Sequence, residues 1–430
     1  MRRAVLVPTL LFIGCSSASA VMDANTSDAG GGLDAGEADA RMADAGSSDS
    51  GAVDAGTADT GAPDSGAPLD DGSVTDAGAD PCRGGPPASF RGLGDLVGGS
   101  TRSVASALSR DGTTVVGQSD SAQGPEAFRW RASTGLVGLG ALPSANFESL
   151  AYAVSGDGSV VVGTSNSSSV DCPGRSEAAF RWTAADGLVG LGDLSGGCYF
   201  SYAYGISADG STIVGGGTND LTNTAATWSG GVWTDLGFAQ ILGNSSSLSA
   251  ITPDLSYKVG THRVLDGPSY DAIRVFGAGV EEILGDLGGG AHYAGASGIS
   301  DDGSAVIGTG TSTAGTEAFL WKASTGMVGL DDFSDGAFGS QANAISPDGE
   351  WIVGLGTTAS GQEAAYWQPG QAIRPLSTLL ADSGVVVPAG WRLTAVTGVT
   401  TSTGAVIFTG NGLNPSGAEE AWIARICPGQ

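Results

Sequence analysis

A four-residue turn motif recurs along the chain at intervals of about fifty residues. It reads SRDG, SGDG, SADG, SDDG and SPDG in five copies, which end at positions 112, 158, 210, 303 and 349. Two degenerate copies, TPDL ending at 255 and TSTG ending at 404, complete a series of seven. Repeats of roughly 40 to 50 residues are typical of β-propeller blades, whereas β-helix rungs are much shorter. The spacing therefore predicts one small sheet per repeat.

Each repeat carries the pattern of four short strands, which we call a, b, c and d. The motif separates strand a from strand b, and its Asp-Gly pair favours a hairpin because glycine adopts positive φ without steric cost. Strand c carries aromatic residues two positions apart, as in Phe128 and Trp130, with Ala127 beside them. Side chains alternate along a strand, so one face is bulky and the other small. We predict an all-β, seven-bladed β-propeller of four-stranded blades.

The two ends of the chain match complementary parts of one repeat. Residues 90–96, FRGLGDL, match a strand d that lacks a preceding a, b and c, and residues 419–426, EEAWIARI, match a strand c that lacks a following d. We expect the N-terminal strand to pair into the last blade, which would close the ring and hide its edges. The predicted propeller domain spans residues 82–430.

Residues 1–20 have the pattern of an export signal. Arg2 and Arg3 precede an apolar run, residues 4–13, that is too short to span a bilayer. The sequence FIGC ending at Cys15 resembles a bacterial lipobox, which predicts acylation of Cys15 and attachment to the outer membrane or cell surface. Cleavage after Ala20 is the alternative and would give a secreted protein.

Residues 21–81 form a low-complexity segment rich in Asp, Ala, Gly and Ser, with 14 acidic residues against Arg41 alone. We predict a disordered spacer, because the segment has too little apolar surface to fold. A calcium-binding tract is the alternative, but the segment lacks the EF-hand ligand spacing. Of the formal net charge of −27, residues 82–430 retain −16. This charge makes nucleic acid an unfavourable partner.

Four cysteines remain beside Cys15, which is an even number in an exported chain and predicts two disulfides. Because strands alternate in direction, the b-to-c and d-to-a connections share one face of a propeller. Cys172 and Cys198 both fall in such connections, and Cys427 and Cys82 flank the two strands expected to pair. We therefore predict the pairings Cys82–Cys427 and Cys172–Cys198.

The repeat resembles the HAF repeat of probable extracellular proteins over roughly residues 90–426. Ala127-Phe128, Ala179-Phe180 and Ala318-Phe319 match the Ala-Phe of that family, and Leu191-Gly192-Asp193-Leu194 matches its Leu-Gly stretch. The family's His is replaced in every copy, by Glu126, Ala178, Thr224, Asp271, Glu317, Glu363 and Glu420. The motif also resembles WD40-like propeller repeats of secreted bacterial proteins. These resemblances imply an extracytoplasmic propeller and leave the activity open.

His262 and His292 are the only histidines in the chain, and neither lies in a nucleophile or metal-ligand motif. We predict no cofactor and no metal site. Aspartates of the turn motif, such as Asp111 and Asp157, could form a carboxylate ring. Aspartate also stabilises turns through its own side-chain hydrogen bonds, and we favour that interpretation.

Aromatic and polar residues recur in the connections from strand d to strand a, which share one face of a propeller. This candidate ligand-binding face carries Arg102, Phe147, Tyr199, Phe200, His292, Tyr293 and Phe338. Exposed rings at a propeller mouth can stack on sugars or hold a peptide. The same rings could instead fill gaps between blades.

These features predict a non-catalytic, monomeric binding or scaffold module that recognises a glycan or a protein at the cell envelope. One alternative is an envelope polysaccharide hydrolase or lyase that uses acidic residues at the propeller mouth. A structural surface-coat protein is the other. The sequence carries no recognisable catalytic motif, which favours binding over catalysis.

Overall fold

The structure, a computed structural model, describes residues 87–168, 177–196, 199–220, 222–238, 245–263, 269–277 and 279–428. Within these ranges the chain forms 28 β-strands and a single short helix, which confirms the prediction of an all-β fold. The predicted signal and tether lie outside the described residues, as do Cys15, Cys82, Cys172 and Cys198. Among the described residues, no helix has the length and apolar character needed to cross a membrane.

The described strands form antiparallel groups of four, which we number units 1 to 7. The first strand, β1 (Ser89–Gly92), belongs to unit 7. Unit 1 contains β2 (Gly98–Leu108), β3 (Thr114–Ser121), β4 (Gly124–Arg131) and β5 (Gly135–Gly138). Unit 2 contains β6 (Ser149–Val154), β7 (Val160–Asn166), β8 (Glu177–Thr183) and β9 (Gly187–Gly190). Unit 3 contains β10 (Ser201–Ile206), β11 (Thr212–Thr218), β12 (Asn223–Ser229) and β13 (Val232–Asp235).

The remaining units repeat the same order. Unit 4 contains β14 (Ser245–Ile251), β15 (Tyr257–Arg263), β16 (Tyr270–Phe276) and β17 (Val280–Gly285). Unit 5 contains β18 (Gly289–Ile299), β19 (Ala305–Ser312), β20 (Thr316–Lys322) and β21 (Gly326–Gly329). Unit 6 contains β22 (Gln341–Ile345), β23 (Ile352–Thr358), β24 (Gly361–Trp367) and β25 (Arg374–Pro375). Unit 7 contains β26 (Arg392–Ser402), β27 (Ala405–Leu413), β28 (Glu419–Ile426) and β1.

Units 4 and 5 meet more closely than the repeat predicts. Tyr270 of β16 and Tyr293 of β18 form one parallel bridge, which joins the two units into an eight-stranded sheet. The two phenol rings pack with their centroids 5.6 Å apart. A second parallel bridge, between Thr316 of β20 and Gly339, links units 5 and 6 without merging their sheets.

The Asp-Gly motif forms the predicted hairpin turns. The N–H of Gly112 donates to the carbonyl oxygen of Ser109 at 2.9 Å, and Gly112 has a φ of +72°. The corresponding glycines of units 2, 3, 5 and 6 have φ between +69° and +75°. Glycine is favoured here because other residues carry a steric cost in this region.

Alternation along strand c decides how neighbouring units pack, as the sequence predicts. Phe180 and Trp182 of unit 2 pack in one apolar cluster with Ala127 of unit 1. In the same way, Phe128 and Trp130 of unit 1 pack with Ala421 of unit 7. The bulky face of one unit therefore lies on the small face of the unit before it. Each fully buried phenylalanine contributes about 1.5–3 kcal/mol to stability.

The N-terminal strand pairs with the last strand, as the chain ends predict. β1 is antiparallel to β28, with Ser89 opposite Arg425 and Gly92 opposite Trp422. The N–H of Ala421 in β28 also donates to the Oγ of Ser103 in β2, at 3.1 Å. Unit 7 therefore contains both ends of the described domain and contacts unit 1.

One helix departs from the predicted pattern. Strand β25 has only two residues, and α1 (Leu376–Asp382) follows it directly. Pro375 ends the strand because proline cannot donate a ladder hydrogen bond. Leu376 and Leu380 bury one side of the helix in the cluster that includes Phe408 and Trp422. The helix thus covers the junction between units 6 and 7.

Candidate ligand-binding site

The turns of each unit lie at two opposite ends of its strands. We call the end with the motif turns and the c-to-d turns the tetrad end. The end with the b-to-c turns and the d-to-a connections is the connection end, and all the residues predicted to bind a ligand belong to it. The tetrad end carries the motif carboxylates, whereas the connection end carries the aromatic residues and His292.

At the tetrad end, the motif carboxylates are engaged within their own turns. Oδ1 of Asp157 accepts from the Oγ of Ser155 at 2.8 Å and from the N–H of Ser159 at 2.9 Å. The hydrogen bonds from Ser159, together with that from Ser155, lower the pKa of Asp157 to about 2. Asp111, Asp209, Asp302 and Asp348 make the same pair of contacts. These aspartates serve the turns, as we expected.

One ion pair crosses the tetrad end. Arg110 of unit 1 contacts Asp301 of unit 5, although the two residues are 191 positions apart. The Oγ1 of Thr400 in unit 7 donates to the carbonyl oxygen of Arg110 at 2.7 Å. Motif turns from units distant in sequence therefore converge here.

At the connection end, two of the predicted ligand-binding residues lie against hairpin glycines. The carbonyl and ring of Phe147 lie over Gly124, in the b-to-c turn of unit 1, and those of Phe338 lie over Gly315, in that of unit 5. Both phenylalanines are partly buried. Their rings fill the space beside the hairpins, which matches the gap-filling alternative.

Arg102, Tyr199 and Phe200 also have neighbours within the protein. Nε of Arg102 donates to Glu419 at 3.1 Å, so its charge is paired. Phe200 packs edge-to-face on Tyr202 with centroids 5.7 Å apart. Burial and the nearby Asp193 raise the pKa of Tyr199, so its phenol stays protonated.

His292 has an exposed imidazole that lies between the carboxylates of Asp271 and Asp286. Its Nε2 lies 3.0 Å from Oδ1 of Asp271, and its Nδ1 lies 2.9 Å from Oδ2 of Asp286. The imidazole side chain is 51% exposed, whereas Asp271 is only 14% exposed. Both ring nitrogens therefore lie within hydrogen-bond distance of a carboxylate oxygen.

The Tyr270–Tyr293 pair adjoins this cluster, because Tyr293 follows His292 and Tyr270 precedes Asp271. Burial and the neighbouring Tyr270 raise the pKa of Tyr293, so its phenol remains a hydrogen-bond donor at neutral pH. The guanidinium of Arg263 lies 5.6 Å from the centre of the Tyr270 ring. We call Asp271, Asp286, His292, Tyr270 and Tyr293 the His292 site.

The second histidine has a structural position. His262 is 7% exposed, and its Nδ1 lies 2.6 Å from Oε1 of Glu281. It packs beside Phe238 with ring centroids 6.3 Å apart. Among the described residues, no group of three or more His, Cys, Asp or Glu side chains is arranged to hold a metal ion.

The carboxylates of the His292 site were missed in the sequence, although a signal for each was present. Asp286 is the Asp of one Leu-Gly-Asp-Leu stretch. In other copies the equivalent carboxylate accepts a hydrogen bond from a backbone N–H at the far end of the connection that follows it. Asp193 accepts from the N–H of Phe200 at 2.6 Å, and Asp332 accepts from that of Gly339 at 2.7 Å. Asp271 occupies the position at which the HAF family has His.

That position has a repeated role in this chain. Oε1 of Glu126 accepts from the N–H of Gly140 at 2.8 Å. Glu317 accepts from Asp331 at 3.1 Å, and Glu420 accepts from Gly94 at 2.9 Å. A glutamate at this repeat position therefore binds the backbone that follows strand d in units 1, 5 and 7.

No protein-family model matches this chain, and no curated protein matches it. Membership of the HAF-repeat family therefore stays a prediction. The solved structures similar to this chain include TolB from Acinetobacter baumannii, with 10% identity over 73% of this chain and a TM-score of 0.40. This chain spans 64% of that TolB chain.

For two further similar structures, the match to this protein covers most of the other chain. One is the β-propeller domain of the Trilobed protease from Pyrococcus furiosus, at 10% identity and a TM-score of 0.45. The match covers 76% of this chain and 95% of that chain. The other is an oligogalacturonate lyase from Vibrio parahaemolyticus, at 11% identity and a TM-score of 0.45. The match covers 79% of this chain and 97% of that chain. At such low identity a likeness concerns the fold alone.

Proposed function

We propose that units 1 to 7 are the blades of one closed seven-bladed propeller. Contacts between consecutive units support this arrangement, including the return from unit 7 to unit 1. Ala127–Ser149, Ala179–Ser201, Ala225–Ser246, Tyr270–Tyr293, Ala318–Ser340, Val396–Asn343 and Ala421–Ser103 each link neighbours in this order. The Arg110–Asp301 pair would then lie across the central axis.

The propeller acts as an extracytoplasmic binding module that recognises a glycan at the cell envelope through the His292 site. The observation that carries this proposal is the exposed imidazole held between Asp271 and Asp286 beside the Tyr270–Tyr293 pair. Carboxylate oxygens with free lone pairs accept hydrogen bonds from sugar hydroxyls, and tyrosine rings stack on the apolar faces of sugars. A glycan suits this combination better than an apolar peptide does.

The hydrolase or lyase alternative receives less support from the same geometry. One oxygen of each carboxylate contacts His292, which holds the imidazole and the two carboxylates against one another. Cleavage of a polysaccharide needs an acid and a base placed to reach the scissile bond, and none of these three residues lies in a recognisable catalytic motif. The arrangement is suited to holding hydroxyl groups in place.

A glycan array probed with the purified full chain in detergent tests the binding proposal. Tyr293→Ala removes one stacking ring, and Tyr257→Ala is the matched control because Tyr257 forms a ring pair with Phe276 at the tetrad end of the neighbouring unit 4. We expect wild type and control to bind the same glycans and the Tyr293 variant to lose them. Equal binding by all three would move the site away from His292.

Two other outcomes would change the proposal. If wild type binds no glycan but captures an envelope protein, and Tyr293→Ala abolishes capture, the partner is a protein. If a bound polysaccharide is cleaved and Asp271→Asn abolishes cleavage while the control does not, the site is catalytic.

We also propose that Cys15 is acylated and that the acidic segment at 21–81 holds the propeller away from the membrane. Labelling of growing cells with an alkyne-tagged fatty acid tests the anchor. Wild type should take up the label and Cys15→Ser should not. Label-free wild-type protein with Val21 at its N-terminus would instead indicate cleavage after Ala20 and secretion.

A further inference from the structure

A cleft at the tetrad end of units 1 and 2 concentrates positive charge in an acidic protein. It has a volume of about 530 Å³. Its lining consists of Arg129, Arg131, Ser159, Val160, Arg181, Thr183, Ala184 and Ala185. Three of the 18 lysines and arginines of the chain thus line a single cleft, and none of the lining residues is acidic.

The register of the strands gives the position of each arginine in its unit. Arg129 and Arg131 lie two positions apart on β4, so their side chains leave the same face of that strand. Arg129 pairs with Val116 in β3, and Arg181 pairs with Val162 at the equivalent position in unit 2. Arg181 precedes Trp182 on β8, so its side chain leaves the opposite face of that strand, and the cleft is lined by arginines from both sides of β8.

Neutral groups of the protein hold the two arginines of β4. Nε of Arg129 donates to the carbonyl oxygen of Gly158 at 3.1 Å, and its guanidinium lies 5.3 Å from the centre of the Trp182 ring. Nε of Arg131 donates to Oγ1 of Thr114 at 2.8 Å, and its Nη2 donates to the backbone oxygen of Asp157 at 2.7 Å. These bonds fix the guanidinium groups, and each fork has further N–H donors for which the described residues show no hydrogen bond.

Carboxylates provide little neutralisation in this cleft. The carboxylate of Asp157 is occupied by Ser155 and Ser159. Within the described part of the chain, neither Arg129 nor Arg131 forms an ion pair, and Arg181 has only Asp186 at 3.9 Å. By contrast, Arg102 and Arg274 lie 3.1 and 2.7 Å from glutamate oxygens. Burial and the charge of Arg131 lower the pKa of Arg129, and the nearby charge of Asp157 only partly opposes them.

Gly158 keeps the space for this arrangement. A methyl group at this residue would lie 2.7 Å from Nη2 of Arg131 and would also overlap Thr114. The absence of a side chain therefore lets Arg131 cross the motif turn of unit 2 and reach the cleft.

We propose that this cleft binds an oxyanion, a sulfate, phosphate or carboxylate group, between Arg131 and Arg181. The guanidinium fork matches such groups in two parallel hydrogen bonds. The hydroxyl groups of Ser159 and Thr183 lie in the same lining but donate to Asp157 and Asp186, so the arginines are the groups that would donate to the oxyanion. This site is separate from the His292 site, which lies at the opposite end of the strands, so either proposal can fail alone.

Titration calorimetry with the full chain in detergent tests the proposal, with sodium sulfate, sodium phosphate and sodium succinate as separate probes at constant ionic strength. The test variant is Arg131→Gln with Arg181→Gln. The control is Lys322→Gln with Arg374→Gln, which removes the same charge. Lys322 pairs with Ala305 as Arg131 pairs with Thr114, so it holds the same repeat position in unit 5.

We expect at least one probe to bind wild type and control alike and to bind the test variant at least about tenfold more weakly, since hydrogen bonds to charged groups contribute about 1.5–3 kcal/mol each. The probe that binds best identifies the oxyanion. No measurable binding to wild type, or equal binding to all three proteins, would overturn the proposal.

A second variant guards against a folding defect, because Arg131 also holds Thr114 and Asp157. Arg131→Lys with Arg181→Lys keeps both charges but loses the paired hydrogen bonds. Thermal unfolding should show this variant folded at the assay temperature. Weaker binding than wild type supports recognition by the guanidinium forks, whereas wild-type affinity would rule that recognition out.

Discussion

The Oγ of Ser149 accepts a hydrogen bond from the N–H of Ala127 at 2.8 Å and donates to the carbonyl oxygen of Gly140 at 2.6 Å. Ser149 begins strand a of unit 2, whereas Ala127 belongs to strand c of unit 1 and Gly140 follows strand d of the same unit. The hydroxyl group thus joins two units, and Ser149 as a whole is only 1% exposed. Ser103, Ser201 and Ser340 make the same pair of bonds at other junctions.

Ser149→Ala should lower the free energy of unfolding by about 1–3 kcal/mol, because it leaves a buried N–H and a buried carbonyl without this partner. Urea unfolding followed by tryptophan fluorescence measures the change. Ser133→Ala, at an exposed position in a c-to-d turn, is the control and should have no measurable effect. A loss of equal size in both variants would mean that the bridging hydroxyl contributes nothing specific.

Gly303→Ala should destabilise the protein more than Gly326→Ala in the same unit. Both glycines have positive φ, +71° and +68°, but a methyl group at Gly303 would overlap the ring of Tyr257, whereas at Gly326 it would meet nothing within 4 Å. The conformational cost of about 1–2 kcal/mol applies to both, and overpacking adds about 1–3 kcal/mol at Gly303 alone. Chemical denaturation of both variants measures the difference, and equal losses would contradict the proposed contact with Tyr257.

Asp157→Ala should cost stability at neutral pH and progressively less in acid. The pKa of Asp157 is about 2 in the folded protein, below the value of about 3.9 for a free side chain. Its ionised form therefore stabilises the fold fully above pH 4, and this contribution is lost as the pH falls towards 2. Unfolding temperatures of wild type and variant, measured between pH 7 and pH 2.5, should converge. Curves that stay parallel would contradict this assignment.

Cys82 and Cys427 should form a disulfide in the exported protein. Cys427 directly follows β28 and is 3% exposed, and Ala88, just before β1, packs against it. Cys82 lies only six residues before Ala88. Peptide mapping under non-reducing conditions should recover a linked peptide containing both residues, and reduction should lower the unfolding temperature. A linked peptide that joins either residue to Cys172 or Cys198 would overturn both predicted pairings.

Much of the fold could be read from the sequence because its determinants are local. The hairpin at Gly112 depends on adjacent Asp and Gly residues, and the two faces of strand c follow from strict alternation around Phe128. The pairing of β1 with β28 was predictable because each chain end matched a different part of the repeat. The helix α1 was missed, since its apolar positions Leu376 and Leu380 have meaning only against the cluster that buries them.

The candidate site depended on tertiary structure. The sequence by itself determined that the predicted ligand-binding residues share the connection end, but it placed all of them in the d-to-a connections. Arg102, His292 and Tyr293 instead lie within strand a, because that strand begins earlier in units 1 and 5. Only the tertiary structure decided that Asp271 and Asp286 flank His292, and that Phe147 and Phe338 lie against hairpin glycines. Turn and strand preferences act between neighbouring residues, whereas the partner of a side chain at a unit junction depends on how two sheets pack. For this reason the repeat predicted the architecture, and the junctions between repeats decided the chemistry.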